Sequence, residues 1–281
     1  MKNRITVLIV VATILLSAGC SGDRREYSRL VELEQVLEQN PDSVRSVLYA
    51  MPTPKKERSK ALYTVLKTQA DYKCYEPLES DSLMLEATAY YGTGKKDYYA
   101  ALAYYTLGCV YTDTENHLAA IEAYLKAKDL FPDTLIRYYA LTECLLGLKY
   151  VNSNAYDYAE NHLLCAMNNA DRLNDVHTYC ISRYNYALCL LHRRDFETAE
   201  QYFLEFLDNE AYYEYYRINP LLQLAKIYYI HYKDYDKSLL YVNRFLNLSK
   251  SNNEAGLAAK ANIFYDMAVY DSAYHYCLKS L

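Results

Sequence analysis

The tetrapeptide ENHL occurs twice, at residues 115–118 and 160–163, and each copy places a carboxylate two residues before an imidazole. Glutamate and histidine are side chains that bind zinc and transfer protons in many active sites. The first copy begins five residues before Ala120, whereas the second begins one residue after Ala159, and both alanines belong to a repeat defined below. The two copies would therefore face different directions, and we predict no metal site.

Other patterns that carry chemistry are missing from the sequence. It has no Ser-His-Asp set, no glycine-rich phosphate loop and no zinc-ligand spacing. We therefore predict that the protein is not an enzyme and uses no cofactor. The formal net charge is −5, and no run of lysine or arginine is long enough to follow a phosphate backbone. Direct binding of nucleic acid by this segment is not expected.

Seven cysteines follow Cys20, and no two of them form a C-x-x-C pair. Most occupy apolar positions of predicted helices, where cysteine behaves as a small hydrophobic residue. An odd number cannot all pair within one chain, so we predict buried thiols even in a compartment that permits disulfides. The seven are Cys74, Cys109, Cys144, Cys165, Cys180, Cys189 and Cys277.

The N-terminus has the composition of an export signal. Lys2 and Arg4 precede an apolar run over residues 5–16, which is too short to span a membrane. The run leads to LSAGC, which ends at Cys20 and resembles the lipobox of bacterial lipoproteins. This resemblance implies that residues 1–19 are removed and that Cys20 carries acyl chains such as palmitate, which hold the protein on a membrane. The alternative is an ordinary signal peptide with a chance cysteine.

Ser21 follows the lipobox with no aspartate beside it, which resembles the pattern of lipoproteins sorted to the outer membrane. We therefore expect the protein at the outer membrane, facing the periplasm. Removal of the signal would take away Lys2 and Arg4 and no acidic residue, which changes the net charge from −5 to −7.

Pairs of small residues recur along the chain, 12 residues apart in four pairs and 13 apart in the remaining one, and the unit repeats every 35 to 40 residues. Larger residues follow the small ones by three or four positions, which keeps them on one helical face. The interval leaves room for a tight turn, so each unit predicts a pair of helices that the small residues allow to pack closely. The pairs are Gly108 with Ala120, Gly147 with Ala159, Ala187 with Ala199, Ala225 with Ser238, and Ala261 with Ala273.

The first clear unit, AYYTLGCVYTDTENHLAAIEAYLKAKDLFPD at residues 103–133, resembles the tetratricopeptide repeat (TPR), with tyrosine where that motif most often has tryptophan. The resemblance implies an all-α, TPR-like α-solenoid, a right-handed superhelix of antiparallel helix hairpins. The fourth copy needs a one-residue insertion near His231. The alternative is a HEAT-like array, whose repeats run to about 40 to 47 residues. The matching residues are Tyr104, Leu107, Gly108, Tyr111, Ala120, Tyr124, Ala127 and Pro132.

The predicted organisation is a lipoprotein signal peptide at 1–19, a short tether at 20–24 and a solenoid at 25–281. Solenoids normally need a polar cap after the last repeat, so we expect the final hairpin either to pair with another surface or to continue into a longer protein. The solenoid divides into degenerate hairpins at 25–51 and 55–91 and clearer repeats at about 101–134, 140–173, 180–213, 218–250 and 254–281.

Tyrosine is unusually frequent, with 35 residues against no tryptophan. Many of these tyrosines fall at packing positions of the repeat. In TPR solenoids the first helix of each pair lines a concave face, and the resemblance therefore implies an apolar, aromatic groove. A protein or peptide partner could fill it, or a helix of the chain itself. The candidate groove residues are Tyr105, Leu148, Tyr184, Leu188, Leu191, Tyr229 and Tyr265.

The whole chain resembles bacterial lipoproteins and membrane-anchored proteins that contain TPRs. This resemblance implies a non-enzymatic protein-protein interaction scaffold, anchored to the envelope by lipid, with the sensing region of a TPR regulator as its more specific form. One alternative is a glycan- or nutrient-binding outer-membrane lipoprotein, in which tyrosine rings stack on sugars. Another is a component of an outer-membrane assembly machinery.

Overall fold

The fold is known from a computed structural model. The described part of the chain contains fourteen helices and no strand, and none of these helices is both long enough and apolar enough to cross a membrane. The predicted signal peptide and Cys20 lie outside the described residues. The described residues are 22–78, 80–92, 95–134, 136–208, 214–249 and 253–280.

The chain forms two compact units, and the first extends to Asp133. It consists of three helix hairpins, each of which has a longer first helix and a shorter second helix. The six helices are α1 (Gly22–Leu37), α2 (Pro41–Ala50), α3 (Glu57–Lys73), α4 (Ser82–Tyr91), α5 (Tyr98–Asp113) and α6 (His117–Leu130).

The second unit begins at Thr134 and consists of four further hairpins. Its third hairpin contains a π-helical turn, Tyr228–Tyr232, at the end of its first helix. The eight helices are α7 (Arg137–Asn152), α8 (Tyr156–Arg172), α9 (Val176–His192), α10 (Phe196–Asp208), α11 (Glu214–Ile227), α12 (Tyr235–Leu248), α13 (Glu254–Asp266) and α14 (Tyr270–Lys279).

Within each unit the helices pack in the order that the repeat requires. Each first helix packs against the second helix of its own hairpin, and first helices of successive hairpins also touch: α1 with α3 and α3 with α5 in one unit, α7 with α9 and α9 with α11 in the other. This is the arrangement of stacked helix hairpins, in which each repeat buries its apolar face against the next. The predicted all-α array of hairpins is confirmed.

A left-handed residue closes the first helix of each clear repeat. Glu115, Asn154 and Arg194 have φ angles of 58°, 58° and 62°, and each follows the first small residue of its hairpin by seven positions. The next backbone N–H donates to a carbonyl five residues earlier, as from Asn116 to Tyr111 at 2.8 Å. This bond satisfies a carbonyl that the helix end would leave unpaired. The left-handed residue and this bond together reverse the direction of the chain within a few residues.

The π-helical turn absorbs the extra residue that the fourth clear repeat carries. There the left-handed residue is Lys233, with φ 55°, and it follows the small residue Ala225 by eight positions instead of seven. The closing bond accordingly spans six residues, from the N–H of Asp234 to the carbonyl of Tyr228 at 3.0 Å. A π-helical turn is the usual way for a helix to hold one inserted residue.

The small residues of the repeat are all buried, and the glycines make room for a side chain of the second helix. A β-carbon on Gly108 would lie 2.5 Å from Cδ1 of Tyr124, and one on Gly147 would lie 2.5 Å from Cγ of Leu163. In the π-containing hairpin the hydroxyl of Ser238 donates to the carbonyl of Ala225 at 2.8 Å. The small residues thus set the distance between the two helices of a hairpin.

Candidate functional site

A cleft of about 300 Å³ opens in the second unit, between the first helices of its last two hairpins. Helix α11 and the π-helical turn form one wall, α13 forms the other, and α12 contributes Ser238. Two alanines of α13, Ala255 and Ala259, stand one turn apart in the second wall, and their short side chains leave the space open. The full lining comprises Leu222, Gln223, Ala225, Lys226, Tyr229, Ile230, Ser238, Ala255, Ala259, Asn262 and Ile263.

The cleft is mainly apolar but carries two polar side chains at its surface. Lys226 and Asn262 are both exposed, and no described residue forms a hydrogen bond or an ion pair with either side chain. Gln223, another polar side chain of the lining, is held in place because its Nε2 donates to the hydroxyl of Tyr184 at 3.2 Å. An ammonium and a carboxamide without partners, beside apolar walls, can bind a carboxylate and a peptide group.

The π-helical turn places Tyr229 and Ile230 in the cleft. The hydroxyl of Tyr229 donates to Asp266 of α13 at 2.7 Å, which ties the two walls together. This hydrogen bond, with burial and the negative charge of Asp266, raises the pKa of Tyr229 to about 12, so the hydroxyl stays protonated. Ile230 is 44% exposed, which is high for an isoleucine.

The groove residues predicted from the sequence are distributed unevenly. Only Tyr229 lines the cleft, while Leu148, Tyr184, Leu188 and Leu191 are half-buried against the cores of their own hairpins, and Tyr265 is exposed beyond it.

Tyr105 requires a correction, because the helical projection places it in the groove and the structure buries it at 5% exposure. Its ring packs 6.1 Å from that of Tyr124, the residue that fills the space at Gly108. Tyr105 therefore packs in the core of its hairpin instead of lining a groove.

Gln223, Lys226 and Ile230 are cleft residues that the groove prediction missed. A projection that assumes an unbroken α-helix misplaces residues after an insertion by about 100°, which affects Ile230 in the π-helical turn. The one-residue excess near His231 was the available signal. Gln223 and Lys226 precede that turn and were missed because the groove was expected to be apolar and aromatic.

The two ENHL segments lie in different parts of their hairpins. Glu115 of the first is the left-handed turn residue between α5 and α6, whereas the second lies within α8. There His162 pairs through Nδ1 with the buried Glu143 at 2.5 Å. Across the described ranges no group of three or more His, Cys, Asp or Glu residues is arranged to hold a metal, and none of the seven cysteines forms a disulfide.

No model of a known protein family matches this chain, and no curated protein does. Among solved structures it is similar to pilF of Pseudomonas aeruginosa, with 18% identity over 80% of this chain and 92% of that one and a TM-score of 0.58. It is also similar to the apo form of RapI, with 16% identity over 96% and 75% of the two chains and a TM-score of 0.66. Both are TPR-type proteins. This chain has the TPR fold.

A third similar structure is a Rap protein complexed with competence and sporulation factor, with 13% identity over 96% of this chain and 76% of that one and a TM-score of 0.63. At such low sequence identities, similarity to these solved structures shows the fold alone.

Proposed function

We propose that this TPR protein is a non-enzymatic scaffold, anchored to the bacterial envelope by lipid on Cys20, that binds a peptide segment of a partner protein in the cleft between α11 and α13. The more specific form of the proposal is that the array is the sensing region of a TPR regulator. The observation that carries it is the cleft itself, in which apolar walls surround two polar side chains without partners.

The cleft has the properties of a peptide site. Its volume of about 300 Å³ falls at the lower end of the range for ligand pockets and would hold one or two side chains of a longer segment. Lys226 and Asn262 can bind a carboxylate and a backbone amide of that segment, while Ile230 contacts an apolar side chain. The preferred partner therefore carries an apolar residue next to an acidic one.

One of the similar structures supports a partner on this fold, since that Rap protein is in a complex with competence and sporulation factor. The proposed anchor has a different basis, which is the lipobox resemblance of LSAGC and the serine that follows it. It would hold the cleft at the outer membrane, on the periplasmic side.

Site-specific photocrosslinking tests the cleft. A benzophenone amino acid at Ile230 or at Asn262 should crosslink the full chain to a defined partner in its own cells. The matched control is Leu240, which is 62% exposed on α12 and does not line the cleft. Adducts at Ile230 and Asn262 but not at Leu240 support the proposal. Equal adducts at all three positions, or none at the cleft positions, would contradict it.

Charge reversal tests the proposed chemistry of the partner. Lys226→Glu should reduce crosslinking from Ile230 at least about tenfold, because the reversed charge repels an acidic segment. Lys237→Glu is a suitable control, since Lys237 is an exposed lysine of α12 outside the cleft. A loss that is equally large in both variants would point to a long-range effect of charge.

Metabolic labelling tests the anchor. Cells fed an alkyne analogue of palmitate should label the wild-type chain, and Cys20→Ser should abolish both the label and membrane association. Labelling that persists in Cys20→Ser would refute lipidation at this residue. Binding of common polysaccharides, measured by calorimetry, would instead favour the glycan-binding alternative, and an adduct with an outer-membrane assembly protein would favour the other one.

A further inference from the structure

Helix α14 presents an apolar stripe to solvent. Tyr270, Tyr274 and Leu278 follow one another at steps of four residues and are 61%, 68% and 54% exposed. The opposite side of the helix packs on α13, where Ala273 is buried and the ring of Tyr276 stacks on Phe264 at 5.6 Å. The stripe is therefore the outer face of a well-packed hairpin, and large apolar side chains in such a row usually mark an interaction surface.

Earlier hairpins of the second unit cover the same face with a helix. The position of Tyr270 corresponds to Tyr156 and Phe196, which lie three residues before the small residue of their second helices. His192 stacks on Tyr156 at 3.8 Å, and His231 stacks on Phe196 at 4.4 Å, in each case from the first helix of the following hairpin. The position is thus one that another helix covers in these two hairpins.

The position of Tyr274 gives the same result. Its counterparts are Glu160 and Glu200, one residue after the small residue. Glu160 accepts from Arg193 of the following hairpin at 2.6 Å, and Glu200 accepts from Tyr232 of the following hairpin at 2.7 Å. In α14 a tyrosine replaces these acids, so the covering helix must offer an apolar surface there.

The charges beside the stripe indicate which helix that is. Asp271 and Lys279 lie on the same side of the stripe, eight residues apart, about 12 Å along the helix. No described residue forms an ion pair with either of them. If two copies of α14 meet antiparallel across a two-fold axis near residues 274 and 275, Asp271 of each copy lies next to Lys279 of the other. The same two-fold rotation places Tyr270 of one copy beside Leu278 of the other. It also places Tyr274 of each copy near the axis.

We propose that α14 is a self-association surface, through which two copies of this chain pair in an antiparallel, two-fold arrangement. The stripe supplies the apolar centre of the interface, and the two Asp271–Lys279 pairs fix its direction. This pairing uses α14, which does not line the cleft, so its test is independent of the test for the peptide partner proposed above.

Cys277 is exposed beside the stripe and serves as a native reporter. In the proposed pairing the two Cys277 residues lie on neighbouring turns of facing helices, too far apart for a direct disulfide but within reach of a flexible six-carbon bismaleimide. The full chain should give a crosslinked dimer with this reagent. Cys277→Ser should remove the dimer band, which establishes the site of crosslinking.

Charge reversal then tests the geometry. Asp271→Lys alone and Lys279→Asp alone should each lower the crosslinked fraction at least about fivefold, because each creates two like-charged contacts. A mixture of the two variants should restore it, since a dimer with one of each has two opposite-charged contacts. Circular dichroism checks that each variant stays folded, as expected for exposed positions.

Three results would overturn the proposal. The first is a folded wild-type chain that sediments as a monomer at all concentrations up to about 100 μM and gives no crosslink. The second is a crosslinked fraction that neither reversal changes. The third is a mixture that crosslinks no better than its components, which would exclude the antiparallel two-fold pairing.

Discussion

The ring of Tyr124 on α6 occupies the space that a β-carbon on Gly108 of α5 would need, with Cδ1 2.5 Å and Cζ 2.8 Å from the position of that carbon. The hydroxyl of the same ring lies 3.0 Å from Oγ1 of Thr112. A glycine inside a helix costs about 1 kcal/mol of stability relative to alanine. We infer that the packing of the Tyr124 ring stabilises the hairpin by more than this cost. The glycine is therefore a packing requirement of the hairpin.

We predict that Gly108→Ala destabilises the protein by about 1–3 kcal/mol, although alanine is the better helix former, because the methyl group forces the Tyr124 ring from its position. Urea denaturation at pH 7 measures the change. The control is the same substitution in a Tyr124→Ala background, where the ring is gone. There Gly108→Ala should stabilise by up to about 1 kcal/mol. Stabilisation in both backgrounds would show that the contact does not constrain the helices.

The hairpins could be predicted from the sequence because the requirement behind them is local. Gly108 and Ala120 are small because the two helices of one hairpin pack closely there. The 12-residue interval between them contains the whole turn. The one-residue excess before Lys233 likewise gave the position of the π-helical turn. The cleft could not be predicted in this way, because its volume depends on how far α11 stands from α13. That distance is set by packing among several side chains.

The π-helical turn gives a second prediction. Deletion of Ile230 should shorten the closing bond from Asp234 to Tyr228 to the five-residue form found in the other hairpins. The hairpin should then keep its fold, with a change in stability of less than about 1 kcal/mol, because a π-helical turn accommodates one extra residue. Leu191 lies near the end of α9, which is a regular α-helix without an extra residue, so its deletion leaves that helix one residue short. That control should cost at least about 3 kcal/mol.

Thermal and urea unfolding of both deletions measure the difference. An Ile230 deletion that costs as much as the Leu191 deletion would show that the π-helical turn is needed for packing as well as for register. The Ile230 deletion should in addition lose the proposed partner, since this residue lines the cleft. Retained stability together with lost binding would separate the fold from the site.

A third prediction concerns pH and Asp175, which caps α9. Its carboxylate accepts from the Nε of Arg137 at 2.8 Å, from the hydroxyl of Thr178 at 2.8 Å and from the backbone N–H of Thr178 at 3.2 Å. Burial by itself would raise the pKa of Asp175, but these hydrogen bonds outweigh it and hold the pKa below its ordinary value. A lowered pKa stabilises the folded state above the unfolded value of about 3.9, and this contribution is lost as the pH falls through the folded value.

We therefore expect Asp175→Asn to destabilise by about 1–3 kcal/mol at pH 7, because asparagine can still cap the helix but cannot pair with Arg137. The difference from wild type should shrink progressively as the pH is lowered from about 5 to 3. Urea denaturation at several pH values measures it. Arg137→Gln should show the same trend, and the double variant should cost less than the sum of the two. A difference that is constant with pH would mean that the ion pair contributes nothing.

The last prediction concerns the thiols, whose burial differs sharply along the chain. Burial raises the pKa of Cys144 and of Cys180 to about 12, which leaves about one thiolate in ten thousand at pH 8, whereas Cys277 is exposed. Iodoacetamide at pH 8 should therefore modify Cys277 first, with Cys144 and Cys180 at least about a thousandfold slower. The protein should be dilute, so that the proposed pairing does not cover Cys277, and mass spectrometry of the peptides gives the rates. In urea all seven cysteines from Cys74 onward should react alike, so a slow reaction that persists there would have a cause other than burial.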